Sequence, residues 1–298
     1  MQIAVTGSTG LVGTALVKSL EAKGHQVRPM VRRTVRDHDR EIYWHPTSRA
    51  IEASKLDGID AVVHLGGKNI ACRWTDEVKK QIRDSRVEST RLLAETLSGL
   101  PHKPAVLVTA SAIGYYGDTG TDEVCEEGPP GTDFLAQVCQ QWEMANEAAS
   151  NAGIRVVEPR IGVVLSNQGG ALKKMLRPFK LGAGGVIGTG HQYMSWIALD
   201  DVVGAIETSL ENDQLHGAVN AVAPHPVTNR EFTKTLGRVL GRPTLFPMPA
   251  FAARLAFGEM ADALLLASTR VAPHRLHQSG YQFAYPELEP ALRHLLEN

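Results

Sequence analysis

Three glycines at Gly7, Gly10 and Gly13, directly behind the apolar run over residues 3–5, constrain this chain more than any other feature. An apolar run of that length reads as a buried strand, and a helical pattern starts just after the last glycine. Strand, glycine turn and helix in that order make a place for phosphate. The first N–H groups of a helix have no partner within it, and they point at an anion bound there. The spacing is G-x-x-G-x-x-G, a looser form of the usual dinucleotide fingerprint. Gly7 would make the tight turn, Gly10 would let the backbone approach a pyrophosphate, and Gly13 would let the helix pack on the strand. A ligand-free strand–helix turn would have the same local pattern, so the rest of the chain must decide between them.

The chain has 298 residues, 43% hydrophobic and 21% charged, which is ample for a sizeable core. A formal net charge of −1 gives no field that favours nucleic acid or an anionic membrane. No apolar run is long enough to span a bilayer, and the N-terminus has no basic segment ahead of its strand. Cys72, Cys125 and Cys139 show neither C-x-x-C spacing nor an even framework. A reduced, cytoplasmic location is therefore expected, with no metal site and a small molecule as the partner.

A helix is predicted over 14–23, closed by Gly24, with Leu11, Ala15, Leu16 and Leu20 on one face. A strand over 26–31 follows. Pro29 within it has no N–H for the ladder, so the strand is expected to be short, irregular or poorly covered there. It ends in Arg32-Arg33, where a dinucleotide fold faces the adenosine ribose. An acid here would accept from a 2′-hydroxyl, whereas arginines suit a 2′-phosphate. No acid occurs before Asp37, which favours NADP(H). A short strand is expected over 41–44. Another over 60–65 ends in Gly66-Gly67, where bare backbone lets a ligand approach. Then come a helix over 75–97, stopped by Pro101 and Pro104, and a strand over 105–110. Ser111, Gly114, Tyr115, Tyr116 and Gly117 follow, at the strand end where open α/β sheets hold ligands. A loop over 118–131, a helix over 133–151 and a strand over 154–164, interrupted at Pro159-Arg160 and Gly162, complete the alternation.

This order predicts an α/β chain with a doubly wound, mostly parallel Rossmann sheet. Beyond Leu165 the character changes. A short helix over 171–180 precedes a loop with five glycines, and SWIALDDVVGAI gives a strand and a helix capped by Asp200 or Asp201. A strand is expected at HGAVNAV. Thr228 and Glu231 form a capping-box pattern ahead of a helix to Leu240. Helices over 250–266 and from 287 onward close the chain. The nucleotide domain is thus assigned to 1–165, with 191–222 returning to it. A smaller, mainly helical substrate-side lobe takes 166–190 and 223–298.

TGSTGLVG, the segment 111–117 and SWIALDDVVGAI together resemble the extended short-chain dehydrogenase/reductase superfamily, which includes nucleotide-sugar epimerases. HLGGKNIACRW, DSRVEST, SAIGYYGD, QVCQQWE, RIGVVLSNQGGAL and RPTLFPMPAFAARLAFGEMA are similar to one atypical branch, the epimerase family of SDR39U1-like and YfcH-like proteins. The resemblance covers nearly the whole chain. It implies an NADP-dependent protein in which Gly7, Ser8, Thr9, Gly10, Leu11 and Val12 hold the pyrophosphate and Arg32 and Arg33 take the 2′-phosphate. It also implies that Leu65, Gly66 and Gly67 pass beneath the adenosine and that Pro159, Arg160 and Ile161 lie near the nicotinamide. Relatives in the superfamily often pair through helices matching 75–97 and 133–151, which leaves a homodimer open.

One departure limits the functional reading. The superfamily moves its proton with a Tyr-x-x-x-Lys pair on the helix after the serine-bearing strand. Here that helix reads DFLAQVCQQWE, with no tyrosine and no lysine. Phe134 with Val138, and Leu135 with Cys139, have the spacing but no proton to give. Ser111 is a candidate to bind a substrate oxygen, and Tyr115 or Tyr116 a candidate displaced acid/base. A tyrosine beside a glycine turn is otherwise packing. Cys139 reads as core, and Arg86 and Arg160 as either anion ligands or structural ion pairs. Two functions remain: an NADP-dependent oxidoreductase or epimerase on a small, nucleotide-linked substrate, or a non-catalytic NADP(H) sensor.

Overall fold

The computed structural model describes residues 1–297. Its first half is β1 (Gln2–Thr6), α1 (Leu11–Ala22), β2 (Gln26–Val31), β3 (Ile42–His45), β4 (Ala50–Ile51), β5 (Ala61–His64), α2 (Asp76–Ser98), β6 (Val106–Thr109), β7 (Ser111–Ala112) and β8 (Glu123–Val124). Then follow α3 (Phe134–Met144), α4 (Glu147–Asn151), β9 (Arg155–Ile161), β10 (Val163–Leu165), α5 (Gly170–Lys180), β11 (Tyr193–Met194), β12 (Trp196–Ala198), α6 (Leu199–Glu211) and β13 (Gly217–Ala221). The last part holds β14 (Val227–Thr228), α7 (Asn229–Val239), α8 (Ala250–Phe257), α9 (Glu259–Ala261), β15 (Arg270–Val271), α10 (His274–Gln278) and α11 (Leu288–Glu297).

The main sheet runs β13-β9-β6-β5-β1-β2-β3-β4, with β7 paired to β9. Every pairing in it is parallel except β3 with β4. Successive residues of a strand face opposite sides, and here both sides are apolar because helices cover both. Ile3 and Val5 pack with Leu16 and Leu20 of α1 and Ile206 of α6. Ala4, between them in sequence, packs with Leu93 and Leu97 of α2 and Ala149 of α4. The strand order reverses at β1 and β5, so the crevice outside their carboxyl ends is where this architecture places a ligand.

The doubly wound sheet read from the sequence is therefore present, and several local expectations are corrected. The first helix starts at Leu11, not at residue 14, so the helix begins inside the glycine turn. β2 passes regularly through Pro29, paired with Val5 on one side. β3 joins on the other side only from Met30, so Pro29 lies where the strand is still an edge, poorly covered there as expected. β9 is likewise unbroken through Pro159 and Arg160 and ends at Gly162. The helix expected over 133–151 is split between Met144 and Glu147. There the Asn146 side chain is pulled inward to Thr109 and Glu158. The helix expected over 250–266 breaks at Gly258, whose φ of 65° no regular helix accepts. Neither Asp200 nor Asp201 caps α6. Asp201 instead accepts from the N–H groups of Ala284 and Tyr285 and from the Tyr281 hydroxyl. The Thr228–Glu231 capping box forms as expected, and α10 has no counterpart in the sequence reading.

A second core gathers Leu172, Leu176 and Phe179 of α5, Trp196, Phe232 and Leu236 of α7, and Leu292 of α11. From it the chain reaches back over the strand ends. Met260 and Leu264 pack with Trp74, Ile82 and Leu135, and Lys79 pairs with Glu259 at 2.8 Å. Lys174 donates to the Ala71 carbonyl at 3.1 Å. These contacts roof the segment 66–74 that leaves β5.

Candidate functional site

The glycine turn is held by its own geometry. Gly7 has φ of 65°, and a Cβ there would stand 2.9 Å from the Leu65 carbonyl carbon and oxygen. A Cβ at Gly13 would lie 2.1 Å from the Gly7 oxygen, so α1 presses onto the turn with no room for a methyl group. Gly10 is different: it is exposed, and a Cβ would meet only the Gly7 oxygen at 3.2 Å. The N–H groups of Leu11, Val12 and Gly13, at the start of α1, have no intrahelical acceptor. Ser8 is half-buried and Thr9 exposed at the same mouth.

The opposite wall is Leu65, Gly66 and Gly67, fixed from below. Thr6 Oγ1 accepts from the N–H of Leu65 at 3.1 Å and of Gly66 at 3.2 Å. Its own hydrogen is left for His64 Nδ1 at 2.7 Å. Nε2 of His64 then carries the proton and donates to Ser89 Oγ at 3.1 Å, which donates on to the Ser85 carbonyl at 2.7 Å. His64 is fully buried, and that burial pushes its pKa down to about 4, so the ring is neutral.

At the end of β2 the two arginines diverge. Arg33 makes a two-pronged contact with Glu41, Nη1 to Oε2 at 3.0 Å, and the Arg36 N–H adds to the same carboxylate. Arg33 holds Glu41 down to about 2. The sequence reading saw no acid before Asp37. The acid that matters is Glu41, brought back by the 34–41 turn. Among the described residues Arg32 makes no ion pair or hydrogen bond and is exposed.

Around β7 and β9 the side chains pair with each other. Arg160 is 4% exposed, forks onto Glu143 at 2.9 and 2.8 Å, and donates to the Tyr116 hydroxyl and the Glu126 carbonyl. Ser111 Oγ donates to the same Glu143 at 2.7 Å. The Tyr116 hydroxyl donates to Asn220 Oδ1 at 2.7 Å. Burial pushes Tyr116 up to about 12. Tyr116, a candidate acid/base in the sequence, is 3% exposed here, and its hydroxyl is hydrogen-bonded on both sides. Tyr115 is half-buried, and no hydroxyl partner exists for it among the described residues. The Arg160 guanidinium carbon lies 3.4 Å from its ring centroid. Pro159 is buried in β9 opposite Val219, and Ile161 packs into the core beside α6.

Glu143 closes the stretch QVCQQWE, and nothing local in the sequence marks it as the hub of this cluster. Glu158 stands beside it in a hollow of about 450 Å³ at the β9–β13 edge. Burial, then the charge of Glu143, push Glu158 up to about 7.

The place of the absent Tyr-x-x-x-Lys pair is filled by packing. Leu135, Val138 and Cys139 are buried, and Phe134 meets Trp74 edge-on at 5.4 Å. Cys139 is pushed up to about 12 by burial, so it is a thiol in the core.

Residues 3–222 match the family model described as the NAD dependent epimerase/dehydratase family, and residues 248–295 match a domain of unknown function. Epimerase family protein Mb2239 of Mycobacterium bovis is 43% identical over 97% of this chain and 96% of its own. Human epimerase family protein SDR39U1 is 38% identical over 99% of this chain and 100% of its own. Its crystal structure, as isoform 2 with NADPH, superposes with a TM-score of 0.92 at 37% identity over 100% of both chains. MoeE5 in complex with UDP-glucose and NAD shares the fold, with a TM-score of 0.81 at 20% identity over 100% of this chain and 98% of that one. No helix among the described residues is long and apolar enough to cross a membrane. The chain belongs to the NAD dependent epimerase/dehydratase family, in company with the SDR39U1 epimerase family proteins.

Proposed function

We propose that the protein binds NADP(H) at the β1–α1 turn and acts as an oxidoreductase or epimerase on a small, nucleotide-linked substrate. The observation that carries the reading is the turn itself: N–H groups at the start of α1 with no intrahelical acceptor, beside an exposed Gly10. The pyrophosphate is assigned to residues 7–12 and the 2′-phosphate to Arg32, with Arg33 steadied by Glu41 at its flank. Arg32 supports NADP(H) over NAD(H), since a guanidinium matches a phosphate in charge and geometry. SDR39U1, whose structure contains NADPH, supports the same choice.

NADP(H) bound there would supply hydride chemistry. Ser111 is assigned to the substrate oxygen, oriented by its bond to Glu143. Tyr115 is the proton donor assigned in this reading, its ring anchored by Arg160 and its hydroxyl free. A second reading, a non-catalytic NADP(H) sensor, is favoured by the apolar packing where the family's proton donor stands. The lobe over 166–190 and 223–298 is assigned to the substrate side in the first reading and to partner binding in the second.

Fluorescence titration with NADPH and NADH tests the cofactor reading. NADPH is expected to bind at least about tenfold more tightly, and equal affinities would sink the assignment of Arg32. Gly10→Val is expected to abolish NADPH binding while the protein stays folded. A screen for hydride transfer with Tyr115→Phe as control separates the two readings: tight NADPH binding without turnover of any substrate favours the sensor.

A further inference from the structure

Two arginines withdrawn from water in this protein are each held by several partners. Arg160 holds Glu143, and Arg155 holds three backbone carbonyls as well as Asp213. Arg86, on α2, is half-buried and donates only to the Ile82 carbonyl, one turn back, while its guanidinium lies 5.1 Å from the Trp142 ring. No carboxylate pairs with it among the described residues. Burial lowers its pKa, which marks a cation held at a cost in desolvation without a counter-charge. The guanidinium is pressed against Gly67: a Cβ there would stand 3.2 Å from its carbon. On its other side is Cys139, whose helix also carries Glu143 and Trp142. Arg86 therefore stands between the loop that leaves β5 and the helix that follows Ser111.

The surroundings reinforce the charge. Lys68, next to Gly67, is half-buried, and its Nζ has no partner among the described residues. Lys174 of α5 reaches over to the Ala71 carbonyl, again without an acid. Residues 159–199 contain no Asp or Glu at all, in a chain whose net charge is −1. None of Arg86, Lys68 and Lys174 pairs with a carboxylate among the described residues.

We propose that Arg86, with Lys68 and Lys174 at the rim, is an anion-binding site for the substrate, its guanidinium taking a carboxylate or phosphate group beside the exposed Gly67. The inference deepens the proposed function, on which it rests for the presence of a substrate beside the dinucleotide. The same chemistry would suit a phosphate of the cofactor, and the two sources are separable. Calorimetric titration of the purified protein with malonate and with inorganic phosphate, with and without NADP+, is the test. The parent is expected to bind at least one of the two anions saturably. Arg86→Gln is expected to weaken that binding by at least about tenfold, the loss of a charge-assisted hydrogen bond. Arg86→Lys keeps the charge but not the fork, and a loss of about threefold is expected. NADPH affinity should stay within about threefold of the parent in both variants, and the thermal midpoint should hold or rise, since an uncompensated cation has been removed.

Absence of binding by either anion in the parent, or parent-like anion binding in Arg86→Gln, overturns the proposal. A tenfold loss of NADPH affinity in Arg86→Gln gives Arg86 to the cofactor and also overturns it. If Arg86→Gln does not fold, parent-like anion binding in Arg86→Lys does the same. Failure of the parent to bind NADPH would sink the cofactor reading, while the arm without NADP+ still decides the anion site.

Discussion

The β1–α1 turn and the Arg160 centre stand at the ends of β1 and β9, with β5 and β6 between them, and they treat their polar groups in opposite ways. The turn leaves backbone donors open and makes room with glycines. Around Arg160 nearly every donor is matched: Glu143 takes Ser111 and both prongs of the guanidinium, and Tyr116 bridges Arg160 to Asn220. A group that has met its partner inside the protein rigidifies; a group without one waits for a ligand. Charge and burial alone do not separate these roles. Arg160 and Arg86 are both guanidinium groups removed from water, and only their partners distinguish them.

The largest effect expected from breaking this contrast is at Glu143. Glu143→Ala strands Arg160 without its counter-ion, and urea unfolding should show a loss of about 3–5 kcal/mol. A loss under about 1 kcal/mol would mean that the centre is looser than described. Gly13→Ala comes next. Its methyl group would meet the Gly7 oxygen, so a loss of about 1–3 kcal/mol is expected together with NADPH binding, because the turn must shift.

Glu158 gives a smaller effect with a defined sign. It keeps its proton to about pH 7 in the folded protein but releases it near 4.5 when unfolded. The folded state thus binds more protons across that window, and this contribution falls as pH rises. His64 acts the other way. Folded, it stays neutral down to about 4, while unfolded it takes a proton near 6.5, so its contribution is lost as pH falls through that range. Glu158→Gln should therefore steepen the rise in stability between pH 4.5 and 6.5 and, at pH 8, exceed the parent by about 1–2 kcal/mol. An unchanged profile would remove Glu158 from the account. The smallest contrast is between the two tyrosines: Tyr116→Phe should lose about 1–2 kcal/mol and Tyr115→Phe less than about 0.5. Equal losses would return Tyr116 to the same footing as Tyr115.

The glycine turn was legible in the sequence because its causes are local: a positive φ, a close approach and a helix start within thirteen residues. The sheet order was legible for a similar reason, since strand and helix alternation leaves few topologies open. The Arg160 centre was not, because Ser111, Glu143, Arg160 and Asn220 meet only after the chain has crossed the sheet. Glu41 shows the same limit at shorter range. Seven residues of turn carry it back to Arg33, beyond any rule about the residue that follows β2. Pro159 misled for the opposite reason: a local veto on strand continuity was overridden by the strands alongside, whereas Pro29 marked a strand left uncovered on one side, as expected. The break at Asn146 followed from a side chain drawn into the sheet, which no helix propensity encodes.

Gly10 has a consequence for reading relatives of this chain. Gly7 and Gly13 are glycine because the protein's own backbone leaves no alternative, whether or not anything binds. Gly10 has an ordinary φ of −76° and is exposed, and a Cβ there would meet one protein atom, the Gly7 oxygen at 3.2 Å, so the fold presses on it far less than on the other two. Across diverging homologues, positions 7 and 13 will report ancestry, and position 10 will report use. A branch that has lost its nucleotide is free to fill that one position first, while the other two remain as they were.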